Sequence, residues 1–96
     1  MRFGTAHSLL LKASQLISSR SNERDQQNER SMARYVNAFN IMTGHNLSEE
    51  DGWLFMQYLK QSRSRGGAFC QDDYEDDIAY SALRAECAIN KNKEGK

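Results

Sequence analysis

Proline is absent from this chain. It is the strongest breaker of helix interiors, lacking an N–H donor and clashing with the preceding turn, so every segment here remains free to be helical. Cysteine is scarce. Cys70 and Cys87 stand alone, without a companion pair or metal-ligand spacing, which excludes a disulfide framework and a zinc-finger site and fits a reduced, intracellular setting. No long apolar run exists either. The opening MRFGTAHSLLLKASQLISS superficially resembles a weak signal peptide, but its apolar stretch is too short for a membrane span and Lys12 interrupts it. Ala6, Leu9, Leu10, Ala13, Leu16 and Ile17 recur at helical spacing, so the segment is expected to be an amphipathic helix of a cytoplasmic protein with no membrane partner. Neither charge sign dominates: 13 basic residues balance 13 acidic ones, giving no overall pull towards nucleic acid or an anionic surface.

The residues present spell an all-α protein, expected as one compact four-helix domain over residues 1–96. The first helix is predicted over 5–19, followed by a polar connector, 19–28, without an apolar anchor. A second helix is predicted over 29–43, with Met32, Tyr35, Val36, Phe39 and Met42 as its apolar face and Gly44 as its left-handed terminator. Ser48-Glu49-Glu50-Asp51 reads as a capped start, with Ser48 and Asp51 in a capping-box relation. The third helix, over 49–64, is crowded with Trp53, Leu54, Phe55, Met56, Tyr58 and Leu59 and is expected to be central, ending at Gly66-Gly67. The fourth, over 72–90, is predicted to be capped by Asp72 or Asp73 and to bury Tyr74, Ile78, Ala82, Ala85 and Ile89, with a frayed tail at 91–96. Alanines and Ser81 along it permit close packing. A chain this short builds only a small core, so association with copies of itself is expected.

The residue types with chemical potential are few. Residues 72–77 hold five carboxylates, and on a helix Asp72 and Asp76 share a face, as do Asp73 and Asp77. Three readings stay open: an acid-rich helix start suited to the dipole, a basic partner such as Lys60, Arg63 or Arg65, or a Mg²⁺ ion on Asp72 and Asp76. All-α pyrophosphatases of the MazG-like group need acids on two neighbouring helices; here the third helix loses its acids after Asp51, so half of that constellation is missing. His7 and His45 lack ligand-pair spacing, although His45, in the turn Thr43-Gly44-His45-Asn46, can present an imidazole to a ligand. Arg30, Arg34, Lys60 and Arg63 can bind phosphate, with Tyr35, Trp53 or Tyr58 available to stack on a base. The candidate ligand-binding set is therefore Arg30, Arg34, His45, Trp53, Lys60 and Arg63. No nucleophile–base pair, phosphate loop or cofactor motif is present in the sequence.

Asn28-Glu29-Arg30-Ser31-Met32, Ala38-Phe39-Asn40, Thr43 through Gly52, Phe55-Met56, Leu59-Lys60, Arg63, Asp72-Asp73-Tyr74 with Asp76, and Ala79-Tyr80 occur in fixed order. Over residues 28–86 this pattern resembles small proteins of tailed bacteriophages known only as a domain of unknown function. The resemblance implies an all-α fold, a phage origin and residence in the host-cell cytoplasm, but no activity. By analogy with phage accessory proteins, the expected function is a non-enzymatic binder that counters host defence, sequestering a nucleotide signal in a homo-oligomer. The alternatives are a protein–protein inhibitor of a host nuclease or defence enzyme and a MazG-like pyrophosphohydrolase.

Overall fold

The computed structural model describes residues 4–24 and 31–94, which form α1 (Ala6–Arg24), α2 (Ser31–Thr43), α3 (Glu49–Gly66) and α4 (Gln71–Glu94), with no strand among the described residues. Three of the helix ends have a visible local cause. The Thr5 hydroxyl accepts from the Ser8 amide at 3.1 Å, satisfying one of the orphan donors at the head of α1. Gly44 takes φ +76° at the end of α2, and its amide donates to the Asn40 carbonyl at 2.9 Å. The Asn40 side chain then clasps the connection, donating to the Leu47 carbonyl and accepting from the Leu47 amide, both at 2.9 Å. Ser48 and Asp51 form the expected capping box, with the two bonds at 3.1 and 2.9 Å. Hydrogen bonding of the Asp51 carboxyl to the Ser48 backbone, and then to its side chain, holds it below its ordinary value.

Several element ends differ from expectation: α1 starts at Ala6, and α3 runs through Gly66, beyond the predicted end at residue 64. α1 extends through Arg24, because a polar segment without proline or glycine can continue a helix that its neighbour has nucleated. α4 starts at Gln71 and runs to Glu94, beyond the predicted end at Asn90. Asp72 and Asp73 therefore lie inside its first turn, where they complement the dipole, and neither is the cap. The rest of the predicted connector, with Arg30 and the start predicted at residue 29, lies outside the described residues.

α4 packs most extensively on α3 and next on α1, while α2 packs on α3. The helices thus stand in the spatial order α1–α4–α3–α2. α3 is touched on two sides, as its crowded sequence suggests, but α4 shares the centre. The approach of α2 to α3 is close. A Cβ added at Gly52 would collide with Met32 Sδ and lie 2.8 Å from Val36 Cγ2.

The apolar faces are less buried than the periodicity implies. Among the described residues, Ala13, Val36, Ala79 and Tyr80 are the buried hydrophobic ones, and no large side chain is fully enclosed. On α2 only Val36 is buried; Tyr35, Phe39 and Met42 are exposed. The face predicted for α4 is corrected more sharply: Tyr74, Ala82, Ala85 and Ile89 are exposed and Ile78 is half-buried, whereas Asp73, Glu75, Asp76, Ala79 and Tyr80 are buried. Asp76 has its partner across the interface in Lys60 and Glu75 has one on its own helix in Gln71, conditions that helical spacing does not display.

Candidate functional site

The polar residues of interest converge on the seam between α3 and α4. Trp53, Gln57 and Lys60 follow one another at i, i+4 and i+7 on α3, so they share one face. Asp76, Asp77, Tyr80 and Arg84 present a similar row on α4. Lys60 Nζ lies 2.9 Å from Asp76 Oδ2, with only 12% and 10% of the two side chains exposed. Gln57 is the hub of the remainder. Its amide donates to Asp77 Oδ1 at 3.0 Å, and its carbonyl accepts from Arg84 Nε at 2.8 Å. Arg84 continues to Glu50, Nη1 to Oε2 at 3.6 Å, and Gln61 adds a 3.3 Å donation to Asp77. Trp53 stacks on Tyr80 with ring centroids 5.7 Å apart. On the same helix, Gln71 donates to the buried Glu75 carboxylate at 2.8 Å.

The electrostatics favour fixed charges over proton traffic. Hydrogen bonding to Asp76 raises the Lys60 pKa above the ordinary lysine value, outweighing the opposing effect of burial. A lysine acting as base or nucleophile near neutral pH needs the opposite shift. Asp51 is held ionised by its cap and is likewise a poor proton donor. Arg84 and Lys60 neutralise Glu50 and Asp76 within the fold, and the amides of Gln57 and Gln61 satisfy Asp77. The seam binds two helices together and leaves no open constellation of reactive groups.

The structure separates the sequence-predicted site residues. Lys60 and Trp53 are drawn into the seam. Arg34 and Arg63 are exposed on α2 and α3. His45 is exposed in the α2–α3 connection, its ring stacked on Phe39 at 5.8 Å. Asp76 is buried while Asp72, one turn earlier, is exposed. Among the described residues no group of three or more His, Cys, Asp or Glu side chains is arranged to hold a metal ion. The expected basic partner for the acidic cluster is found at Asp76 and Lys60, and no ion pair between Arg63 and Asp72 occurs among the described residues. Gln57 and Arg84 were not singled out by their sequence pattern, and Asp77 only as a member of the acidic run, although Gln57 lies i+4 from Trp53 and Arg84 lies i+4 from Tyr80. That register was the available signal.

Apart from this seam, an open groove of about 370 Å³ lies between the start of α3 and the latter part of α4. Glu49, Glu50, Glu86, Asn90 and Lys91 line it. None of the sequence-predicted ligand residues does.

A family described as a domain of unknown function, DUF6378, matches residues 8–88. The chain belongs to the DUF6378 family. Its match takes in α2, α3, most of α1 and α4 up to Ala88, and so the whole Lys60–Asp76 seam. No curated protein and no solved structure matches the chain. Among the described residues, no helix of this DUF6378 protein is long and apolar enough to cross a membrane, and neither cysteine is in a disulfide.

Proposed function

We propose that this DUF6378 protein is a phage-encoded, non-enzymatic binding protein of the host-cell cytoplasm, where it counters host defence. The observation that carries the reading is the internal pairing of Lys60 with Asp76 at 2.9 Å. The two residues with the best claim to chemistry neutralise each other, and the lysine is held in its charged form. A binder needs a stable frame and an accessible surface, and the α3–α4 seam is a frame of that kind. In the specific form proposed, a nucleotide signal is sequestered through its phosphates, with Arg34 and Arg63 as exposed guanidinium donors.

Isothermal titration against cyclic nucleotides and NAD-derived signals tests this form. Stoichiometric heat that Arg63→Ala and Arg34→Ala weaken, with the nucleotide recovered intact, supports it. Release of pyrophosphate from a nucleoside triphosphate with Mg²⁺, abolished by Asp76→Ala, would overturn the non-enzymatic reading in favour of a MazG-like hydrolase.

A second reading, inhibition of a host protein by direct contact, is favoured by a separate feature. Phe69 and Tyr74 stack at 5.9 Å beside the α3–α4 corner, with 75% and 46% of their surfaces exposed. An exposed aromatic pair is a common anchor for a protein partner. Capture of a stoichiometric host enzyme that Phe69→Ala releases would support it, provided the enzyme is inhibited in the complex.

A further inference from the structure

The line on which α2 meets α3 is marked by Val36 on one helix and Gly52 on the other. Tyr35, Phe39 and Met42 lie beside that line on α2, at i, i+4 and i+7 and uncharged throughout. Phe55 and Tyr58 lie beside it on α3, rotated about the helix in the same sense as the α2 residues are. The chain turns back through residues 44–48, a short connection of the kind that joins antiparallel neighbours. Equal rotations on antiparallel helices bring both stripes to one side of the pair. Trp53, Gln57 and Lys60, which meet α4, fall on the opposite side of α3.

We propose that a second copy of this chain docks on the face formed by Tyr35, Phe39 and Met42 of α2 with Phe55 and Tyr58 of α3, giving a two-fold dimer. Three observations select a copy of the chain as the occupant. The first is area. The five side chains are 65, 46, 85, 70 and 58% exposed in the order named. At the size of aromatic and methionine side chains they offer on the order of 700 Å², close to the roughly 800 Å² that each partner gives to a standard stable interface.

The second observation is charge. The centre of the face carries none, so it does not repel its own copy. Along α3 the stripe runs Asp51, Phe55, Tyr58, Ser62, Arg65, alternating steps of four and three as in a paired-helix seam. An antiparallel copy of α3 with Tyr58 on the two-fold axis sets each Asp51 against Arg65 of the other copy, so the ends are self-complementary. The third is the thin packing of α2, which leans on α3 and buries only Val36. An isologous contact covers α2 and α3 together and completes a layer that one chain leaves open. The inference concerns a face opposite the α3–α4 seam and stands whichever ligand the protein binds.

Light scattering on the eluting full-length chain at micromolar concentration is expected to give twice the 11.0 kDa chain mass. A mass of one chain throughout that range overturns the proposal. Tyr58→Glu and Tyr58→Lys, each placing like charges across the axis, are expected to raise the dimer dissociation constant by roughly 100-fold, as loss of a central interface anchor does. Circular dichroism should show their helices intact. Mixing the two variants is expected to restore a dimer, since opposite charges then meet. Persistence of the dimer in either variant, or failure of two folded monomeric variants to pair, refutes this face and its two-fold. Met42→Lys, at the most exposed of the five positions, disturbs the chain's own packing least and must also weaken association; a dimer unaffected by it overturns the proposal even if the Tyr58 variants unfold.

Discussion

At the residue scale, Lys60 decides what the acidic stretch of α4 can be. Its ammonium sits in a largely buried pair with Asp76, and removing one partner of such a pair strands a charge that costs more than the pair contributed. Lys60→Met is therefore expected to destabilise the fold by about 3 kcal/mol in urea unfolding. Lys60→Met with Asp76→Leu should recover much of the loss, because both charges are then gone. The pH dependence follows from the direction of the shift. A raised lysine pKa means that the pair's contribution is complete below the ordinary value near 10.5 and is lost as pH rises through the higher folded value. The wild-type unfolding midpoint should fall on that alkaline limb, and Lys60→Met should flatten it.

Ser48 governs a smaller effect of opposite sign. Asp51 is depressed by its bonds to Ser48, so its contribution is present above the ordinary carboxylate value of 3.8 and is lost as pH falls through the depressed one. Ser48→Ala removes the hydroxyl acceptor of the cap and is expected to cost about 1 kcal/mol. The Asp51 carboxyl, followed by NMR titration, should move upwards at the same time.

At the scale of elements, the α2–α3 contact depends on the missing side chain at Gly52. Its Cβ position is already occupied by Met32 and Val36, so a branched residue there must push α2 away. Gly52→Val is expected to destabilise the protein by about 1–3 kcal/mol, the usual cost of overpacking. Hydrogen exchange should show α2 amides losing protection while α4 amides keep theirs. α4 is secured differently, by Trp53 on Tyr80 and by the Glu50–Arg84–Gln57–Asp77 chain. Gln57 is buried and bonds on both sides, so Gln57→Leu leaves Asp77 and Arg84 each short of a partner. A loss of about 1–3 kcal/mol is expected, measured as a lower urea midpoint at unchanged slope.

At the scale of the whole molecule, a core of Ala13, Val36, Ala79 and Tyr80 is slender, and large apolar side chains remain on the surface. A dimer would shift folding by mass action, so the thermal midpoint should rise with protein concentration. A midpoint independent of concentration would count against the association argued above. The same slender core explains why polar bonding across α3 and α4 has so large a share in holding the chain together.

Four helices in their order, the Gly44 terminator and the Ser48–Asp51 cap were legible from the residues alone. These depend on neighbours within a few positions, and the absence of proline removed the main source of ambiguity. Membership of a family of unknown function was legible in part, since the resemblance over residues 28–86 lies within the matched residues 8–88. The extension of α1 to Arg24 was not legible, because a polar segment has no apolar period to read. Which faces lie inside depends on how the helices pack. Helical spacing selected Tyr74, Ile78 and Ile89 for the α4 interface, yet Asp73, Asp76 and Tyr80 occupy it. Burial of Asp76 depends on a partner from another helix, Lys60. That partner is sixteen residues away in the chain and adjacent only after the helices have packed.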